Sequence, residues 1–196
     1  MKVAIFASGN GTNFEILAQK FESNEMAGNL TLLFCDHPDA PVVKRAENHQ
    51  VPVRSFTVKE CGGKLPYEKK IMELLKEFQI DFIVLAGYLR VIGPTILQNY
   101  EKKIVNLHPA YLPEYPGLHS IERALSDHRT QTGVTVHYVD DGLDSGPVIE
   151  QRRVPILATD NLETLEQRVH ECEHRLYPQV VKEILLKINK KEQNDQ

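Results

Sequence analysis

Short apolar runs alternate with amphipathic segments through the first two thirds of the chain, and this alternation constrains the fold more than any other feature. Residues 3–7, 30–35 and 81–86 are apolar runs of strand length, and residues 51–55 form a shorter one. The run Phe82-Ile83-Val84-Leu85-Ala86 has no polar side, as expected of a strand covered on both faces. Residues 12–21, 42–49 and 66–78 read as helices; in the last, Ile71, Leu74, Leu75 and Phe78 recur at i, i+3, i+4 and i+7. Strands separated by helices imply an open, twisted, mostly parallel sheet with helices on both faces, an α/β fold. The pattern then changes. Residues 133–139 and 147–154 read as an antiparallel hairpin appended to the parallel core. A long C-terminal helix over 161–189 places Leu162, Leu165, Val169, Cys172 and Leu176 on one face, with Pro178 expected to kink or interrupt it. Residues 1–189 are expected to be one domain, and the charged tail 190–196 is expected to fray.

Composition narrows the function classes. The chain has 196 residues, enough for a substantial core, with 41% hydrophobic and 26% charged residues and a net charge of −4. No basic stripe interleaved with aromatics is present, which argues against nucleic acid as a partner. The apolar run after Met1 is too short for a signal sequence, and no stretch approaches membrane-spanning length. Cys35, Cys61 and Cys172 are odd in number, far apart and form no C-x-x-C pair. Reduced thiols in a cytoplasmic protein are expected, without a disulfide framework or a zinc site. The eight histidines show no metal-ligand spacing, and Asp36-His37-Pro38-Asp39 reads as a turn.

The chemistry-bearing residues fall at expected strand ends. In open parallel sheets ligands bind beyond the carboxyl ends of the strands. Residues 8–13 follow the first strand, 87–92 the fourth, and Asn106-Leu107-His108 end the fifth. Asn106 and His108 are two apart in a strand, so both face one side. An asparagine amide can donate to a developing oxyanion, and a histidine can move a proton near neutral pH. The stretch His137-Tyr138-Val139-Asp140-Asp141-Gly142-Leu143-Asp144-Ser145-Gly146 carries Asp144, a carboxylate able to hold the imidazole charged and oriented. Singly, a His beside Pro109 is an ordinary loop residue and an Asp–Gly stretch an ordinary turn. It is the combination that points to carbonyl chemistry.

Ser8-Gly9-Asn10-Gly11-Thr12-Asn13 joins a strand directly to a helix. Glycines there let the backbone approach a phosphate, and free amides at the helix start supply donors. The purely structural role for Thr12 and Asn13 is helix capping. A dinucleotide fingerprint needs glycine at position 14, where this chain has Phe14, although Asp36 stands where a ribose-binding acid would be. A phosphomonoester is therefore favoured over a dinucleotide, and the absence of lysine after the glycines excludes a Walker A loop.

Four separated motifs, in order, resemble the phosphoribosylglycinamide formyltransferase family: Ala7 to Asn13; Leu85-Ala86-Gly87-Tyr88-Leu89-Arg90; Asn106 to Pro109 with Leu112-Pro113 and Tyr115-Pro116-Gly117; and His137 to Gly146. The resemblance covers essentially the whole chain. It implies a Rossmann-like formyltransferase fold and formyl transfer from 10-formyltetrahydrofolate to the amino group of 5′-phosphoribosylglycinamide in purine synthesis. By resemblance, Asn106, His108 and Asp144 are the catalytic residues. Gly11, Thr12, Asn13, Asn106 and Glu173 bind the glycinamide substrate. Lys64, Leu89, Arg90, Val91, Ile92, Asn106 and Asp144 bind the folate. Glu173 reads equally as a solvated helix residue, Lys64 as a loop charge, and Val91 and Ile92 as core. Relatives often carry Ser-Leu where this chain has Ala110-Tyr111, a basic residue at Glu114, and Arg at Lys64, a change that loses a bidentate donor.

The implied reaction needs neither a covalent enzyme intermediate nor a metal, because the incoming amine is already a nucleophile. Asp144 is expected to favour a protonated His108. Small-molecule partners only are expected, with the chain a monomer or homodimer. Methionyl-tRNA formyltransferases and formyltetrahydrofolate deformylases share the triad but carry an extra C-terminal or N-terminal domain, which this chain is expected to lack. A non-catalytic nucleotide-binding regulator on the same sheet is disfavoured by the intact triad.

Overall fold

The computed structural model describes residues 1–194. Strand β1 (Lys2–Ala7) is followed by α1 (Thr12–Glu22), β2 (Asn29–Cys35), α2 (Pro41–Asn48), β3 (Val53–Ser55), α3 (Lys64–Glu77) and β4 (Phe82–Leu85). A short α4 (Pro94–Leu97) precedes β5 (Ile104–His108), and α5 (Ser120–Ser126) precedes the hairpin of β6 (Gln131–Tyr138) and β7 (Val148–Pro155). Helix α6 (Leu162–Asn194) follows. The seven strands form one sheet in the order β3-β2-β1-β4-β5-β6-β7. The first five pair in parallel, whereas β6 runs antiparallel to both neighbours. The expected parallel core with an appended hairpin is the observed architecture.

Two apolar layers sandwich the sheet, and strand alternation assigns residues to them. Val3, Ile5 and Ala7 face a layer with Phe14 and Leu17 of α1 and Val169, Val181 and Leu185 of α6. Ala4 and Phe6 face the other, with Ile71 and Leu75 of α3. Tyr177 of α6 is fully buried, and its hydroxyl donates to the carbonyls of Leu85 (2.8 Å) and Val105 (3.3 Å), tying β4 to β5.

Helix α6 corrects two expectations. Pro178 lies inside it without interrupting it. Proline removes one backbone hydrogen bond, but the flanking Tyr177, Val180 and Val181 are buried in the core, so tertiary packing holds the helix across the gap. The helix runs on through residues 190–194, past its expected end at 189, while residues 195–196 lie outside the described residues. Ile188 packs on the core and Asn189 donates to the Ala27 carbonyl (3.3 Å), which anchors the helix just before that segment. Helices α4 and α5 escape a periodicity reading because one has four residues and the other seven.

The chain leaves β1 toward β2 on one side and returns to β4 on the other. The sheet order therefore reverses between β1 and β4, which opens a crevice beyond their carboxyl ends. The Ser8 N–H donates across it to the Gly87 carbonyl (3.0 Å).

Candidate active site

Asn106 and His108 end β5 on one side of the strand, as their spacing predicts. In the β5–β6 register Asn106 stands opposite His137, so the hairpin brings a second imidazole to the same place. The loop after β6 then returns Asp144 over the pair. Asn106 Nδ2 donates to His137 Nε2 (3.2 Å) and, at 3.4 Å, to Asp144 Oδ1. Asp144 Oδ2 accepts the Gly117 N–H (2.7 Å) and lies 3.4 Å from His108 Nδ1. His108 Nε2 is 2.8 Å from the Tyr115 carbonyl, and His137 Nδ1 is 2.9 Å from that of Tyr138. A carbonyl only accepts, so these two ring nitrogens carry hydrogens. His108 Nδ1 is thus left facing the Asp144 carboxylate.

Burial decides the electrostatics. His108 is pushed below the ordinary imidazole range by desolvation, which outweighs the raising effects of the Asp144 charge and the Tyr115 carbonyl. The Asp144 charge does pull His108 toward the protonated form, as expected, and burial pulls more strongly the other way. For Asp144, burial pushes the carboxyl up, yet the His137 ring, the Gly117 N–H and the His108 ring together hold it below the usual carboxylate range. Asp144 has φ of 52°, a left-handed conformation more common for Asp and Asn than for most residues, which helps turn its side chain inward.

These groups line a cavity of about 430 Å³ bounded by residues 87–92 and by Gly117, Leu118 and residues 142–144. Leu89 and Val91 are exposed there, whereas Ile92 is buried in the α3 layer. The segment 87–92 is held from behind. Ser8 Oγ accepts the Leu89 N–H (3.0 Å), and Arg90 Nε donates to the fully buried Asp36 (2.5 Å), which also meets His37 Nδ1 (3.0 Å). Asp36 is therefore committed to Arg90 and His37 rather than to a ribose. Lys64, the first residue of α3, is mostly exposed, lies 3.8 Å from Glu68 Oε1 and does not line this cavity.

A second cavity of about 270 Å³ lies over the glycine loop, lined by residues 9–13 with His170 and Glu173. The cap of α1 is Gly11, with φ of 76°, and neither Thr12 nor Asn13 caps the helix with its side chain. Among the described residues, the N–H groups of Asn10, Gly11, Thr12 and Asn13 have no protein acceptor, the arrangement a phosphate can fill. Asn13 Nδ2 instead donates to Glu173 Oε2 (2.9 Å). Glu173 is only 5% exposed, so it is no solvated helix residue; burial raises its carboxyl, partly offset by Asn13. Gly87, Leu107 and Pro109 line both cavities, so the two adjoin.

Three departures from the family pattern have local partners. The buried Ala110 carbonyl accepts from Thr135 Oγ1 (2.7 Å), the Arg153 guanidinium stacks 3.9 Å over the Tyr111 ring, and Glu114 pairs with Arg129 (3.0 Å). Among the described residues no group of three or more His, Cys, Asp or Glu is placed to hold a metal, and no helix is long and apolar enough to cross a membrane. His137 is the residue that sequence reasoning left without a role. Its signal was its place in the same motif as Asp144, and only the β5–β6 pairing shows what it touches.

Comparison with known proteins agrees with this geometry. The formyl transferase family model matches residues 1–181. The phosphoribosylglycinamide formyltransferase of Bacillus subtilis (strain 168) is 44% identical over 184 residues, 94% of each chain. That of Escherichia coli (strain K12) is 32% identical over 181 residues, 92% of this chain and 85% of the other. The crystal structure of the Bacillus halodurans phosphoribosylglycinamide formyltransferase superposes with a TM-score of 0.92 at 48% identity, covering 94% of this chain and 95% of that one. The chain belongs to the formyl transferase family, in its phosphoribosylglycinamide formyltransferase branch.

Proposed function

We propose that the protein transfers a formyl group from 10-formyltetrahydrofolate to the amino group of 5′-phosphoribosylglycinamide, yielding formylglycinamide ribonucleotide and tetrahydrofolate in purine biosynthesis. The observation that carries this reading is that two differently built cavities adjoin at the end of β5. Asn106 and His108 line the apolar one, while Leu107 and Pro109 reach the amide-lined one. A phosphorylated acceptor and an aromatic formyl donor can therefore meet beside the triad.

The contacts support the following roles. The free amides of Gly11, Thr12 and Asn13 take the phosphate, and Glu173, oriented by Asn13, sits near the glycinamide. Segment 89–92 presents its backbone and the Leu89 and Val91 side chains to the folate. Lys64 is assigned to the folate by resemblance alone, standing where relatives often carry a folate-contacting Arg. The amine lone pair attacks the formyl carbon, and the carbonyl pair moves onto oxygen. Asn106 Nδ2 has only long bonds to His137 and Asp144, which the stronger, charged oxyanion displaces. The attacking nitrogen passes its proton to the free Nδ1 of His108. The imidazolium then lies between the Asp144 carboxylate and the Tyr115 carbonyl, both of which favour its charge. Collapse restores the carbonyl and breaks the bond to the folate nitrogen, which takes the proton from the His108 imidazolium, directly or through water, and returns the ring to its starting state. No step requires a metal, and the cytoplasm is the compartment that fits three free cysteines.

The test is the absorbance of released tetrahydrofolate with glycinamide ribonucleotide, with methionyl-tRNA, and with no acceptor. Release only with the ribonucleotide is expected. Equal release without acceptor would make the protein a deformylase and overturn the proposal.

A further inference from the structure

The glycine-loop cavity is built to take a dianion, yet neither lysine nor arginine lines it, and Glu173 faces it. The compensation stands one layer behind, on α2. Arg45 donates from Nε to the Asn10 carbonyl (2.8 Å) and from Nη2 to Asn10 Oδ1 (3.2 Å), with Nη1 at 3.4 Å from Glu15 Oε2. The Val42 N–H of the same helix donates to the Gly9 carbonyl (3.2 Å). Two consecutive loop carbonyls are thus held toward α2. In a trans peptide the C=O and the following N–H point in opposite directions. Holding the Gly9 and Asn10 carbonyls outward therefore aims the Asn10 and Gly11 N–H groups into the cavity. A cation hydrogen-bonded to the Asn10 carbonyl also polarises that peptide and strengthens its N–H as a donor.

We propose that Arg45 is a positioning residue for the phosphate group of the acceptor substrate, fixing and polarising the Asn10–Gly11 peptide without touching the substrate itself. This rests on the proposed function, in which the loop holds that phosphate. Glu15 is part of the device. It accepts from Arg45 and sits 2.9 Å from His49 Nε2, so the guanidinium is held from a second side. An ordinary exposed ion pair between Arg45 and Glu15 would contribute little and would be indifferent to the substrate's phosphate.

The experiment compares wild type, Arg45→Gln and Arg45→Lys with glycinamide ribonucleotide and with its dephosphorylated riboside. Arg45→Gln should raise KM for the ribonucleotide by about tenfold or more, the scale of a charge-assisted hydrogen bond. Its kcat and its KM for formyltetrahydrofolate should stay within about twofold of wild type. Arg45→Lys should recover part of the loss, since an ammonium keeps the charge but not the fork. With the riboside, wild type and Arg45→Gln should have the same kcat/KM. Equal losses on both substrates, or an unchanged KM, would overturn the proposal by making Arg45 a stability residue. Failure of the functional reading looks different: wild type would not distinguish ribonucleotide from riboside. Amide NMR titration with inorganic phosphate separates the two without turnover. The Gly11, Thr12 and Asn13 signals should move in wild type and need about tenfold more phosphate in Arg45→Gln; identical titrations would reject the Arg45 role.

Discussion

In the proposed mechanism His108 starts neutral, and its surroundings both oppose and favour the charge it would later carry. Burial lowers its pKa, while Asp144 at 3.4 Å raises it. The proton-accepting form is the basic one, so kcat/KM should fall on the acid side with a midpoint below the ordinary imidazole value of about 6.5. Asp144→Asn removes the raising charge, so the midpoint should move to still lower pH while turnover drops by about a hundredfold. His108→Ala should cost at least as much. The double variant should lose little beyond His108→Ala, because both residues act on one event. NMR titration of His108 with single-turnover rates for the singles and the double checks this; an unmoved titration, or additive losses, would reduce Asp144 to a loop residue. At this scale the sequence was informative where strand geometry acted alone, as for Asn106 and His108. The protonation state was not legible, because it depends on how deeply the fold buries the ring.

At the scale of elements, Gly11 shapes the β1–α1 junction and Tyr177 adds a tie across the β4–β5 pair. A Cβ on Gly11 would stand 2.3 Å from Val42 Cγ2, and its φ of 76° disfavours any L side chain. Gly11→Val should therefore raise KM for glycinamide ribonucleotide far more than for the folate, as steady-state kinetics with each substrate varied will show. A similar rise for both would mean that the phosphate sits elsewhere. Tyr177→Phe keeps the ring and leaves the Leu85 and Val105 carbonyls without their side-chain donor, which should cost about 1–3 kcal/mol in urea unfolding. An unchanged midpoint would deny the tie between β4 and β5. The glycine turn was legible because a strand, two glycines and a helix follow one another in sequence. The contacts of Arg45, His137 and Tyr177 were not, since each joins elements whose pairing sequence spacing does not encode. Short α4 and α5 lacked the turns needed to show a period.

For the whole molecule, the mixed sheet was legible from one contrast, apolar runs separated by helices and then two runs joined by a loop. What packing added was the continuity of α6 across Pro178 and a crevice in which the proposed mechanism uses side chains alone. Activity should accordingly survive exhaustive EDTA treatment; loss restored by zinc or magnesium would contradict a side-chain mechanism. Stability against pH reports the same packing. Burial lowers the pKa values of His108 and His174, so below the unfolded imidazole value the unfolded chain binds protons that the folded one refuses. Stability from these two must fall as pH drops from about 7 to about 5.5. His49 has the opposite sign: burial lowers its pKa, but bonds to Glu15 and Glu22 raise it overall, so it stabilises most on the acid side and loses that contribution as pH rises through its folded pKa. Replacing His108 with Asn and His174 with Met should shrink the drop in Tm between the two pH values, whereas His49→Gln should enlarge it. A change of 1 kcal/mol is about 2–4 °C in a chain this long, which calorimetry resolves. An acid-side drop that is the same in all three proteins would show that these histidines do not couple folding to protons and would undercut the neutral His108 on which the mechanism depends.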